Sequence, residues 1–204
     1  MNGMLEVKLL GSPLIAWEGS SLPLLRRQVR ALLYCLATHD QFLSRDTLCF
    51  LFWSNIPDAS ARRHLSHLLS HLRKDLPDES LLKANKTEIG LDSQRTWSDT
   101  KAFEQLLAMG TVEALQQAVD LYRGYFLSGF SLPGSPEFER WVSVEGCGFE
   151  NRYLSSLAAL TEHAKSCGDF LAAIDFAQRY LVVDNLAEAA HRNLIELFSL
   201  TGTR

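Results

Sequence analysis

Asp58-Ala59-Ser60-Ala61-Arg62-Arg63-His64-Leu65-Ser66-His67-Leu68-Leu69-Ser70-His71-Leu72-Arg73-Lys74-Asp75-Leu76 is the stretch whose reading decides the fold. Leu65, Leu68, Leu69, Leu72 and Leu76 recur at i, i+3, i+4, i+7 and i+11, the spacing of a helix with one face in a core. Arg62, Arg63, Ser66, Ser70, Arg73 and Lys74 fall on the opposite side. Asp58 or Ser60 is placed to cap this helix, and Pro77-Asp78 to stop it. Arginine can fork onto a guanine edge or a phosphate, while serine and lysine bind phosphate oxygens. A solvated helix also shows a basic-polar face, so the neighbouring elements decide between the two readings.

His64, His67 and His71 share a stripe between the leucines and the cations. No carboxylate or cysteine at helical spacing completes a zinc ligand set with them, so no metal site is assigned. They read as half-buried boundary residues with a packing or phosphate-contact role, and His67 joins the candidate DNA contacts.

Upstream, Val29, Leu32, Leu33, Leu36 and Ala37 mark an amphipathic helix that begins near Arg26. Ser44-Arg45-Asp46 offers an N-cap before a short apolar helix through Leu48, Phe50, Leu51 and Phe52. Ser54-Asn55-Ile56-Pro57-Asp58 then reads as a turn. The alternating Leu5 to Leu10 and the short Leu14 to Trp17 read as strands before these helices. Downstream, Leu81 to Ala84 and Thr87 to Leu91 flank Asn85-Lys86 as a hairpin. Two strands, three helices and a hairpin make a winged helix-turn-helix, expected over residues 1–95. In that context the cationic helix face is read as a DNA contact surface.

From 96 to 204 the pattern is all-helical. Ala102 to Met109 and Val112 to Tyr122 read as helices, and a Gly/Ser/Pro-rich connection spans 124–136. Helices resume near Glu137, with Gly146-Cys147-Gly148 read as a flexible or close-packed turn. Gly168 and Gly202 stand 34 residues apart, as do Leu160 and Leu194, the period of tetratricopeptide helix pairs. Cys167-Gly168-Asp169-Phe170 is the turn in that register, and Ala173 is the small residue between paired helices. A repeat cut off after one helix leaves an apolar face uncapped, which suggests the N-terminal part of a longer protein. The fold class expected is mainly α with small β elements: a winged helix-turn-helix, then a tetratricopeptide-like helical domain.

Composition is consistent with this division. The 204 residues are 47% hydrophobic and 22% charged, enough apolar content for a core. Residues 1–95 hold 12 Lys and Arg against 10 Asp and Glu, whereas 96–204 hold 8 against 14. A mildly basic front and an acidic rear suit different partners. No apolar run approaches the ~20 residues of a membrane-spanning helix, and the first residues lack a signal-peptide pattern, so the expected location is the cytoplasm. Cys35, Cys49, Cys147 and Cys167 have no metal-ligand spacing and read as reduced thiols, buried in the core. No nucleophile elbow, phosphate-binding loop or metalloprotease motif is present, so no catalytic residue and no cofactor are assigned.

Leu24-Leu25-Arg26-Arg27-Gln28-Val29-Arg30-Ala31-Leu32-Leu33, Leu43-Ser44-Arg45-Asp46-Thr47-Leu48 and Leu51-Phe52-Trp53 resemble stretches of the SARP-type bacterial activators, which join an OmpR-like winged helix to a bacterial transcriptional activation domain. Ala61 to Ser66, Leu68 to Arg73, Asp99 to Glu104, Ala118 to Gly124 and Glu139-Arg140-Trp141 extend the likeness over nearly the whole chain. The resemblance implies double-stranded DNA bound through the third helix, with Lys86 on the wing in a minor groove; Arg45, near a helix start, is placed to add a phosphate contact. It implies tandem binding to direct repeats, self-association on DNA and contact with RNA polymerase. Trp53, Ser54, Asn55, Ile56 and Asp58 match the loop that would make the polymerase contact. This chain carries His64 and Ser66 where family members often have arginine or asparagine, which thins the DNA contacts. The alternative is a protein-interaction module whose winged helix does not read DNA. A weaker alternative places an enzyme or sensor function in a region beyond Arg204.

Overall fold

The computed structural model describes residues 3–202. The first compact unit comprises 1–102 and 123–146, and the second comprises 103–122 and 147–204. In the first, β1 (Leu5–Lys8), β2 (Leu14–Trp17) and β3 (Ser20–Ser21) precede α1 (Arg27–Thr38). Then come β4 (Leu43–Ser44), α2 (Arg45–Trp53), α3 (Asp58–Asp75), β5 (Leu82–Ala84), β6 (Glu88–Leu91) and β7 (Thr96–Ser98). The remaining helices are α4 (Asp99–Met109), α5 (Val112–Leu121), α6 (Pro136–Ser166), α7 (Phe170–Val183) and α8 (Glu188–Thr201). The fold class is the expected one, mainly α with small β elements: a winged helix-turn-helix and a tetratricopeptide-like helical repeat.

Leu5 and Val7 are fully buried on one side of β1, as its alternation requires. The sheet order is β3-β2-β1-β7, with β1 antiparallel to β2 and parallel to β7. A second sheet, β4-β6-β5, is antiparallel and forms the wing. The two-residue strands β3 and β4, and β7, were not among the strands read from the sequence; segments this short carry no alternation to detect.

In α1 the run from Ala31 to Ala37 is buried throughout. Ser44 caps α2, its hydroxyl accepting from the Thr47 amide at 3.0 Å. The start of α3 differs from expectation, since neither Asp58 nor Ser60 caps it. Pro57 is the N-cap, and its carbonyl accepts from the Ser60 and Ala61 amides. Asp58 instead stands in the first turn, where a carboxylate opposes the positive end of the helix dipole. Ala61, Leu65, Leu68, Leu69 and Leu72 are buried, as the spacing required.

Asp99 sits at the start of α4, and its side chain is 2% exposed. Its Oδ1 accepts from the Leu9 amide at 2.7 Å and its Oδ2 from the Leu10 amide at 3.0 Å. Arg123 donates to Oδ2 at 3.2 Å. Burial pushes the carboxyl above its ordinary pKa, and the hydrogen bonds and the Arg123 charge pull it back. The Leu10 carbonyl takes the Arg123 amide, and Leu10 bridges Phe126. Residues 123–146 thereby build onto the first unit, with Phe138 against Phe52 and Trp141 stacked on His39.

Gly146-Cys147-Gly148 lies inside α6, which corrects the turn expected there. Adjacent glycines read as a break from sequence, but a Cβ on Gly146 would come within 2.5 Å of the Tyr125 ring. Close approach, rather than a bend, requires glycine at 146. The thiols also divide: Cys35 and Cys49 are buried, while Cys147 and Cys167 are exposed, against the expectation of burial.

In the second unit, Tyr122 stacks on Tyr153 at 4.1 Å and Phe103 meets Phe149 edge-on. Ala164, Ala173 and Leu197 form a buried cluster that joins α6, α7 and α8. Gly168 (φ 77°) follows α6 as Gly202 (φ 71°) follows α8, the left-handed stop of each half-repeat. Asp169 then caps α7 through the Ala172 amide.

Asp99→Asn is expected to destabilise the chain by about 1–3 kcal/mol, because an amide offers one acceptor oxygen to two buried N–H groups. Urea denaturation measures it. Asp78 supplies a pH test. The Ser80 hydroxyl and amide, then Arg95, lower its pKa from 3.8 to about 2. A carboxylate lowered on folding stabilises above its unfolded pKa and loses that contribution as pH falls through the folded one. The difference in urea midpoint between wild type and Asp78→Asn is therefore full above pH 3.8 and closes towards about 2.

Candidate nucleic-acid interface

With its leucines buried, α3 turns a polar face outward. Arg62, Arg63, Ser66, His67, Ser70 and Lys74 are exposed on it, and Arg73 is half-exposed. The structure brings these seven residues onto one helix surface. His64 and His67 are exposed rather than half-buried, a correction to the boundary reading that holds only for His71. His64 stacks on Trp53 with ring centroids 5.8 Å apart, which seats the end of α2 against α3. The His71 Nδ1 is buried with no hydrogen-bond partner among the described residues.

Two arginines of this face are engaged within the chain. Arg62 Nη2 reaches Asp46 Oδ1 at 2.8 Å, and both side chains are well exposed. Arg63 donates to the Ser60 hydroxyl at 3.1 Å. Ser66 donates to the Arg62 carbonyl at 2.9 Å, which leaves its hydroxyl oxygen able to accept. Exposed contacts of this kind contribute little and exchange readily for a phosphate.

The wing is fixed by a compact turn. Asn85 Oδ1 accepts from the amides of Thr87 and Glu88 and from the Thr87 hydroxyl, and Lys86 stands exposed beside it. Arg45 braces this turn, because its amide donates to the Thr87 carbonyl at 2.9 Å and its Nε to the Asn85 carbonyl at 3.0 Å. This bracing was not legible from sequence, since the partners lie 40 residues apart. With β4 paired to β6, the start of α2 and the wing form one piece.

Between α2 and α3 lies a cleft of about 280 Å³, lined by Asp46, Cys49, Phe50, Trp53, Ser54, Ile56, Asp58, Ala61 and Arg62. It contains four of the five residues of the expected polymerase loop, and Asn55 is exposed next to them. Cys49 forms part of the cleft wall, and burial pushes its thiol pKa up. Among the described residues no group of three or more His, Cys, Asp or Glu side chains is arranged to hold a metal ion. No described helix is long and apolar enough to cross a membrane.

A winged helix with an outward polar third helix, joined to a tetratricopeptide-like repeat, defines the architecture of SARP-type regulators. Residues 92–204 match the bacterial transcriptional activator domain, and the chain belongs to that family. Among solved structures it is similar to that of Mycobacterium tuberculosis EmbR in complex with a low affinity phosphopeptide. The likeness has a TM-score of 0.68 at 19% identity and covers 98% of this chain. It shows the fold. The chain spans 56% of the EmbR chain, a little over half its length. No curated protein sequence matches.

Arg45→Ala is expected to loosen the wing without unfolding it. Amide exchange at Asn85, Thr87 and Glu88 should quicken about threefold to tenfold, as loss of one charge-assisted hydrogen bond implies, with core amides unchanged. Hydrogen-exchange mass spectrometry or NMR reads this directly.

Proposed function

We propose that this protein is a sequence-specific DNA-binding transcriptional activator that occupies direct repeats near a promoter and contacts RNA polymerase. The observation that carries the reading is the face of α3, where cations and hydroxyls stand exposed directly behind a buried leucine stripe. Residues 1–95 serve as the DNA-binding domain and 96–204 as the activation domain. Arg62, Arg63, Ser66, His67, Ser70, Arg73 and Lys74 contact the major groove and its phosphates, while Lys86 reaches the neighbouring minor groove. Arg45 acts mainly by holding the wing, and its remaining guanidinium nitrogens face phosphate. The loop of Trp53, Ser54, Asn55, Ile56 and Asp58 meets polymerase.

The acidic helical domain suits a protein partner better than DNA, since anionic surface repels phosphate. A formal charge of +2 over residues 1–95 is small for a DNA-binding module. Non-specific affinity is therefore low and salt-sensitive, and two copies on adjacent repeats raise the effective concentration. The protein works in the cytoplasm, without a cofactor and without catalysis.

Selection from random double-stranded DNA at two salt concentrations tests this reading. Enrichment of a direct repeat is expected, with loss when Arg62 and Arg63 are both changed to Glu. Arg63→Ala should weaken binding to the selected site about tenfold while the melting temperature stays unchanged. A folded chain that enriches nothing at low salt would mark the winged helix as a protein-docking module.

A further inference from the structure

Two adjacent arginines of α3 are held by partners of different charge. Arg62 Nη2 meets the Asp46 carboxylate at 2.8 Å, with the two side chains 60% and 74% exposed. Asp58, in the first turn of α3, lines the same hollow as Asp46 and Arg62. Arg63 Nη2 meets the Ser60 hydroxyl at 3.1 Å, a neutral partner that orients the guanidinium and leaves its charge whole. Both arginines stand near the N-terminal end of α3, the part of a recognition helix that reaches base edges.

The difference in partners separates what the two can contact. A phosphate that approaches Arg62 also approaches Asp46 and Asp58, and their repulsion opposes the attraction of the guanidinium. A guanine edge carries no net charge, so the same carboxylates do not repel it. The Asp46 contact occupies one of the five N–H donors of a guanidinium, and a fork onto guanine O6 and N7 needs two of the others. A carboxylate behind the fork also restricts the rotamers of Arg62, which lowers the entropy cost of meeting one base in one geometry. Arg63 has the opposite character: a full charge, and a partner that yields to a phosphate oxygen without uncovering an anion.

We propose that Arg62, positioned by Asp46, is a specificity-determining residue that reads a guanine, whereas Arg63 supplies affinity through phosphate. The division rests on α3 as the DNA-facing helix. Asp46 is a positioning residue that acts through Arg62. On unmatched sequence it keeps Arg62 from adding a phosphate contact, and at a matched guanine it holds the fork in place.

The experiment measures dissociation constants of the full chain for the duplex selected from random DNA, for its single-base variants and for a random duplex, each over a range of salt. Arg62→Ala should cut the preference for G·C at one position of the repeat about tenfold and leave the slope of log affinity against log salt unchanged. Arg62→Lys keeps the charge but not the fork, and should lose the same preference. Arg63→Ala should retain every base preference, weaken binding to all the duplexes alike and reduce the slope by about 1. Asp46→Asn should tighten binding to the random duplex about threefold by releasing Arg62 to phosphate, while the selected duplex gains less. Asp46→Glu should restore the wild-type ratio of the two. All three positions are exposed, and circular dichroism checks that each variant is folded.

Equal losses of salt slope from Arg62→Ala and Arg63→Ala, or an Arg62→Ala chain that keeps its base preferences, would overturn the division. So would an Asp46→Asn chain that tightens on both duplexes alike, the mark of plain charge repulsion. A wild-type chain that selects no duplex refutes the proposed function, and the division falls with it. The wild type therefore tells the two failures apart.

Discussion

The carboxylate of Asp99 is the fastening on which the first compact unit depends. The amides of Leu9 and Leu10 end β1 in the core, where an unpaired N–H costs about 1–3 kcal/mol, and a single side chain answers both. A buried carboxylate is itself costly, and its N–H donors and Arg123 offset that cost. The geometry then propagates. The Leu9 and Leu10 carbonyls take the amides of Leu127 and Arg123, which turns the following chain back over the sheet. That return delivers the Ser135 hydroxyl to the Phe52 carbonyl and the Phe138 ring to the Phe52 ring. The end of α2 is held from behind, so α3 and the wing bury their apolar sides in the core and present their polar faces outward.

What the sequence made legible follows from period. The leucines of α3, the buried run of α1, the Ser44 cap and the Asn85-Lys86 turn are local patterns whose physics lies within about ten residues. Tetratricopeptide pairing was legible at longer range because Gly168 and Gly202 punctuate it at a constant interval. Contacts made by single residues across the fold were not. Nothing in the Gly/Ser/Pro-rich composition of 124–136 announces that it completes the first unit, because its anchors are backbone groups of Leu9 and Leu10. Gly146 misled for a related reason, since a glycine needed for ring clearance looks in sequence like a glycine needed for a bend.

The candidate site shows the same division. Helical spacing found which residues of α3 share the outward face, but it could not find what they touch. Arg45 reads as a phosphate contact, and in the fold it braces the wing. Asp46 reads as a helix-start carboxylate and also pairs with Arg62. Trp53 reads as loop and stacks on His64. Each joins elements that meet only after folding, so the sequence pattern holds no signal for them.

The few cations of this face make their internal partners consequential. A strongly basic helix could leave several arginines paired within the chain and still bind phosphate, whereas here Arg62 and Arg63 are two of four cations on α3. Arg62 is neutralised by Asp46, whereas Arg63 is oriented by the neutral Ser60 hydroxyl and keeps its charge, so under the proposed function the Asp46 pair sets how much of the face's charge a phosphate meets. Both bonds are exposed, so stability has little stake in them and either can exchange at small cost. The permanent burden of holding the fold falls on Asp99, the leucine stripe and the aromatic seat of Phe52, all away from solvent. Strong interactions inside and weak ones at the surface let the arginines of α3 change partners while the helix that carries them stays in place.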